Sequence, residues 1–191
     1  ASSFAVERFV ELIEESEQTD PIELMKTCIA TVNQEIIAES KENEKYAGMG
    51  TTFVAATVSD HKVTVMNIGD SRLYYGNKEL KQITVDHSYV EELINAGMLD
   101  REQGRIHPKK NVITRALGSQ VATPDFFEFE VEEGYLLLCS DGLSNMISND
   151  ELKELLLDHD QIANKINKMI ARANEYGGKD NISLVIVDLK R

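Results

Sequence analysis

The period of the apolar residues changes once along this chain, at Thr51, and that change limits the fold more than any other feature. Before it, apolar residues recur every third or fourth position. Phe4, Phe9, Leu12 and Ile13 mark residues 3–15, and Met25, Cys28, Ile29, Val32 and Ile36 mark a second segment that opens with Asp20-Pro21-Ile22-Glu23. This spacing predicts two amphipathic helices, the second with a capping carboxylate, a proline suited to the first turn and a glutamate three residues on. After Thr51 the period is two. Residues 52–58, 63–68, 73–75 and 80–84 are rich in β-branched and aromatic side chains and are separated by Gly-, Asp- and Asn-containing turns, which predicts an antiparallel meander. Then come a helix over 88–96 ended by Gly97, an irregular basic stretch over 101–115, and strands over 125–130 and 135–139. Ser148-x-x-Glu151 caps a further helix, another spans 161–176 up to Gly177, and a closing strand covers 182–187. Helices, strands, helices and one last strand predict an α+β fold, a single domain over 1–191, with antiparallel sheets and helices packed outside them.

The 33 acidic and 20 basic residues give a net charge of −13. Such a surface repels nucleic acid and anionic membranes, so neither is an expected partner. The apolar runs are too short to cross a bilayer, and the chain opens with no basic and apolar leader. Cys28 and Cys139 sit in apolar surroundings and read as reduced thiols. A cytoplasmic monomer is the expectation.

Two acidic turns concentrate the chemistry. Cys139-Ser140-Asp141-Gly142 closes the apolar run 135–139, and Gly177-Gly178-Lys179-Asp180-Asn181 opens the run 182–187. If these two strands are antiparallel neighbours, Asp141 and Asp180 face each other at one sheet edge. With no cation beside them to neutralise them, they ask for a hard divalent ion such as Mg²⁺ or Mn²⁺. Other hydrolytic arrangements fail on the residues. No arginine follows Cys139 at the spacing a thiolate phosphatase needs, Gly142-Leu143-Ser144 lacks the second glycine of a nucleophile elbow, and His61, His87, His107 and His159 show no zinc spacing. If Phe53, Val54, Val63, Val65, Leu136, Leu138, Leu184 and Ile186 face inward, they fill the space between two sheets.

Gly50-Thr51-Thr52, Gly69-Asp70-Ser71-Arg72, Thr84-Val85-Asp86-His87-Ser88, the run from Asn111 to Gly118, Cys139-Ser140-Asp141-Gly142-Leu143 and Lys179-Asp180-Asn181-Ile182-Ser183 stand in that order. Together they resemble the bacterial branch of the type 2C (PPM) metal-dependent protein serine/threonine phosphatases, over essentially the whole chain. The resemblance implies a central sandwich of two antiparallel sheets between helices, in four layers, with Mg²⁺ or Mn²⁺ in a cleft at a sheet edge. The implied reaction is hydrolysis of phosphoserine and phosphothreonine on proteins by a water that two ions, or three, activate. Asp141 and Asp180 match metal ligands, and Asp86 matches an aspartate that helps hold a third ion. Asn181 matches a residue that orients the Asp180 loop. Asp70 reads as a turn residue whose carboxylate bonds nearby backbone. Residues 87–115 match a flap beside the cleft, and its basic cluster of Arg101, Arg105, Lys109 and Lys110 suits an acidic or phosphorylated partner.

The resemblance also implies two opening strands carrying a phosphate-gripping arginine, the earliest metal ligands and a general acid, and no residues of 1–191 match them. The expectation is therefore a chain that turns over poorly by itself. A non-catalytic partner-binding module or an inactive fragment is the alternative.

Overall fold

The computed structural model describes residues 1–189. Among the described residues seven helices and seven strands follow one another: α1 (Ser2–Glu15), α2 (Pro21–Glu42), β1 (Phe53–Ser59), β2 (Lys62–Ile68), β3 (Arg72–Gly76), β4 (Leu80–Gln82), α3 (Tyr89–Asn95), α4 (Arg101–Ile106), β5 (Asp125–Glu130), β6 (Tyr135–Cys139), α5 (Asp141–Ser144), α6 (Asn149–Leu157), α7 (Ile162–Glu175) and β7 (Leu184–Asp188); α4 and α5 are additions to the expected order. They form two antiparallel sheets, ordered β1-β2-β5 and β4-β3-β6-β7, accompanied by helices. Internal contacts divide the chain into two compact units. The first holds Ala1–Thr57, Met66–Asp70 and Asp86–Phe126; the second holds Val58–Val65, Ser71–Val85 and Phe127–Arg191.

In the first unit, α1 and α2 lay their apolar faces on the inner residues of β1 and β2. Ala5, Phe9, Met25, Cys28, Ile29, Val32, Ile36, Phe53, Met66, Ile68 and Leu117 share one buried core. The Phe9 ring meets the Phe53 ring edge-on, with centroids 5.0 Å apart. All five apolar positions expected on α2 are buried, and Asp20 caps that helix by accepting from the Glu23 N–H. On α1 the expected face shifts by one residue. Ala5 is buried whereas Phe4 is 42% exposed, because a stripe through Phe9 meets position 5 at one helical turn. Gly97 ends α3 in the left-handed region at φ 70°, its N–H returning to the Ile94 carbonyl.

In the second unit, α5, α6 and α7 cover one face of the β3-β6-β7 ladder. Tyr74, Leu137, Cys139, Leu143, Ile147, Leu152, Leu156, Met169 and Ala173 form the second core. The other face of β3 touches β5, where the Tyr75 and Phe129 ring centroids lie 5.5 Å apart.

Three expectations are corrected. The four strands over 52–84 are not a meander: β2 lies between β1 and β5, while β3 lies between β4 and β6, so the chain changes sheet at Gly69-Asp70-Ser71. Strand alternation identifies a covered face but not a partner, and β2 from Val63 to Ile68 is buried at every position. The stretch 101–115 is not wholly irregular. α4 is launched by a capping box, in which Asp100 accepts from the Gln103 N–H and the Gln103 side chain accepts from the Asp100 N–H. The set proposed for the space between sheets mixes two faces. The register pairs Leu138 with Val185 and Leu136 with Val187, so Leu184 and Ile186 lie on the helix side with Leu137 and Cys139, and Phe53 packs on α1. A shift of one residue moves a side chain to the opposite face.

Candidate metal centre

β6 and β7 are antiparallel neighbours, as the site requires, and their ladder ends where Cys139 faces Leu184. Ser140 extends it by one step, its N–H donating to the Ser183 carbonyl at 2.9 Å. Beyond that the strands part. One enters the short helix α5 at Asp141 and the other departs toward Asp180. Across the gap the Ser140 hydroxyl accepts from the Ser183 N–H at 3.0 Å and donates to the Asn181 carbonyl at 3.1 Å. Gly142 completes the closeness: a Cβ built there would stand 2.2 Å from the Asn181 carbonyl oxygen. Only a residue without a side chain lets these backbones meet.

The two carboxylates do come together. Asp141 is half-buried and Asp180 exposed. Burial pushes the Asp141 carboxyl up, the Asp180 charge pushes it further, and the Gly142 N–H and the Arg72 guanidinium pull it partly back. Asn145 Nδ2 donates to Asp141 Oδ2 at 3.2 Å, and the Asn181 N–H donates to Asp180 Oδ1 at 2.7 Å. The sequence reading placed no cation here, and Arg72 corrects it. Arg72 pairs with Cys139 across β3 and β6 and donates from Nη1 to the hydroxyl of buried Tyr74 at 3.1 Å. Its contact depends on a strand pairing between residues far apart in sequence, which motif spacing does not reveal.

Two like charges held together by their own backbone fit the oxygen-donor chemistry of Mg²⁺ or Mn²⁺. Two carboxylates are fewer donors than such an ion takes. Among the described residues, no three His, Cys, Asp or Glu side chains converge as an ion site.

Asp70 and Asp86 are half-buried in the first unit. Between them stands a node that the sequence reading missed. His87, 5% exposed, accepts at Nδ1 from the Gly69 N–H at 3.0 Å. An amide can only donate, so the ring proton sits on Nε2 and is given to Asp125 Oδ2 at 3.0 Å. Arg115 Nη1 donates to Asp125 Oδ1 at 2.7 Å. Burial pushes the Asp125 carboxyl up, but the hydrogen bonds from His87 and Arg115 outweigh it and hold the group below its ordinary value.

Residues 87–115, the expected flap, are cross-tied at their two ends. Thr114 N–H donates to the His87 carbonyl at 2.8 Å and Tyr89 N–H to the Val112 carbonyl at 2.9 Å. Its basic cluster is not uniform. Arg101 forms a two-pronged pair with Glu91 at 2.6 and 3.0 Å, and Lys109 lies over the Tyr89 ring, 5.1 Å from its centroid. Arg105 and Lys110 are exposed.

This arrangement has relatives. The chain is 42% identical over 168 residues to the serine/threonine phosphatase stp of Listeria monocytogenes, covering 86% of this chain and 66% of that protein. It thus spans just under two thirds of that relative's length. The crystal structure of the serine/threonine phosphatase Stp1 from Staphylococcus aureus superposes with a TM-score of 0.94 at 30% identity, over 100% of this chain and 78% of that one. The catalytic domain of the phosphatase PstP in complex with two manganese ions matches with a TM-score of 0.87 at 28% identity, over 98% and 79%. The family model of protein phosphatase 2C spans residues 1–184. With its two acidic turns joined at one sheet edge, the chain belongs to the protein phosphatase 2C family.

Proposed function

We propose that this chain serves as a Mg²⁺- or Mn²⁺-dependent protein serine/threonine phosphatase, acting on phosphoserine and phosphothreonine in phosphorylated proteins. The observation that carries the reading is the forced closeness of Asp141 and Asp180, whose mutual repulsion a divalent cation relieves. Asp141 and Asp180 would hold the ion, and Asp86 would serve a further one. Bound there, the metal supplies Lewis acidity to a phosphoryl group and a water nucleophile at neutral pH.

The chain's own residues do the positioning. Asn145 and the Asn181 amide orient the two carboxylates. Arg72 tempers the negative charge at Asp141, and Asp70 shapes the turn at the sheet change. Arg105 and Lys110 of the flap meet the acidic or phosphorylated partner, against a chain of net charge −13. That charge favours protein substrates over nucleic acid or anionic membrane, in a cytoplasmic monomer. Two carboxylates are fewer donors than Mg²⁺ or Mn²⁺ takes, so these residues alone hold ions weakly and turn over slowly.

The test is hydrolysis of an aryl phosphate and of a phosphothreonine peptide by the natural protein that contains this chain, with Mn²⁺ and then with chelator. Asp141→Asn and Asp180→Asn are expected to abolish Mn²⁺-dependent turnover. Turnover that survives either change removes both residues from the metal site. The absence of a three-ligand cluster among the described residues favours a second reading, a partner-binding module. Partner capture indifferent to chelator and to Asp141→Asn would establish that reading instead.

A further inference from the structure

We infer that Ser140 is a positioning residue that sets metal affinity by fixing the separation of the Asp141 and Asp180 loops; the inference rests on the metal-site reading above. The β6–β7 ladder supplies no strand pairing beyond Cys139 and Leu184, yet the two ligand-bearing loops leave from that point. The loops carry like charges, each favouring separation. Ser140 opposes that separation with three bonds to one short segment. Its N–H reaches the Ser183 carbonyl, and its hydroxyl accepts from the Ser183 N–H and donates to the Asn181 carbonyl.

The hydroxyl therefore uses donor and acceptor at once, and does so across the gap between the loops. It completes one more rung of the sheet: the Ser140 N–H gives the outward backbone bond, and the hydroxyl takes the return bond from the Ser183 N–H in place of a backbone carbonyl. Both partners follow Asp180 in the chain, and Ser140 itself adjoins Asp141, so the hydroxyl ties together the two segments that carry the carboxylates. A site held at the spacing a cation needs pays less reorganisation on binding, and partners that orient ligands in this way commonly carry about 10–100-fold in metal affinity.

The experiment measures Mn²⁺ binding by electron paramagnetic resonance of the free ion, on wild type, Ser140→Ala, Ser140→Thr and Asp141→Asn. Amide hydrogen exchange at Ser183 is followed in the metal-free protein. Ser140→Ala is expected to weaken Mn²⁺ binding about tenfold or more and to speed exchange at Ser183. Ser140→Thr keeps the hydroxyl and is expected to restore both. Val32→Ala, which opens the first core, is expected to lower stability while leaving Mn²⁺ affinity unchanged. Ser140→Ala binding Mn²⁺ like wild type, while Asp141→Asn does not, overturns the role of Ser140 and leaves the metal site standing. Wild type and Asp141→Asn binding Mn²⁺ equally overturns both.

Discussion

Gly142→Ala tests the central geometric statement about this protein, that the two acidic loops touch through backbone. The added Cβ would lie 2.2 Å from the Asn181 carbonyl oxygen, 2.8 Å from its carbonyl carbon and 3.3 Å from the Asp180 carbonyl oxygen. Carbon and oxygen in favourable contact sit about 3.3–3.6 Å apart, so Asn181 must retreat by about 1 Å. A retreat of that size also stretches the 3.1 Å bond from Ser140 Oγ to the same carbonyl past hydrogen-bonding range. Overpacking costs about 1–3 kcal/mol and the lost bond about 1 kcal/mol. Together they predict a loss of roughly 2–4 kcal/mol, which lowers the melting temperature by about 5–15 °C in a chain of this size. The assay is urea and thermal unfolding of the metal-free protein, with Gly97→Ala as the comparison. Gly97 lies at φ 70° with nothing within 4 Å of the added Cβ; its substitution carries only the left-handed penalty of about 1–2 kcal/mol. If Gly142→Ala unfolds within about 0.5 kcal/mol of wild type, the loops are not in contact and the geometry proposed for the site falls.

Two further outcomes follow from the same structure. Burial and the Asp180 charge raise the Asp141 carboxyl above its ordinary value. Its ionisation therefore opposes folding at neutral pH, and the penalty fades as pH falls from the raised value through the ordinary carboxylate range near about 3.9. Asp141→Asn is expected to melt a few degrees higher than wild type at pH 7 without metal and to lose that advantage at acid pH; a lower melting temperature at pH 7 refutes it. Lys165 is fully buried, donates to the carbonyls of Leu156 and Asp158, and stands 4.1 Å from the centroid of the Tyr135 ring. Lys165→Met keeps the apolar stem but strands two carbonyls at the end of α6, at a cost of roughly 2–4 kcal/mol in denaturant unfolding; a change under about 0.5 kcal/mol refutes the capping role.

What could be read from sequence was local. The α2 face, the caps at Asp20 and Ser148 and the end of α3 at Gly97 depend on residues within one or two turns, and each appears as expected. The pairing of β6 with β7 was legible because two apolar runs carried matching acidic turns, and with it came the Asp141–Asp180 pair. The change of sheet at Gly69-Asp70-Ser71 was not legible, since alternation along β2 and β3 is the same whichever strand lies beside them. Arg72 was hidden for that reason: its effect on Asp141 exists only once β3 lies against β6. His87 looked unremarkable because its partners, Gly69 and Asp125, are scattered along the chain. The helix α4 had a visible signal in Asp100 and Gln103, outweighed in the sequence reading by the basic residues around it.

The cross-ties between the two ends of residues 87–115 fix where the ordering cost of this excursion falls. Ser88 bridges Ile113, and the bonds from Tyr89 to Val112 and from Thr114 to His87 stitch the two ends of the excursion together. The loop-closure entropy of this segment is thus spent when the domain folds, not when a ligand arrives. Within the loop, the Arg101–Glu91 pair and the Asp100 cap already fix α3 and α4. If the exposed Arg105 and Lys110 meet a partner as proposed, association has to immobilise little beyond their side chains, about 0.5–1.5 kcal/mol for each long side chain held. A loop sewn in this way holds its exposed charges in place before any ligand arrives, so the ordering of its backbone is no part of a later association.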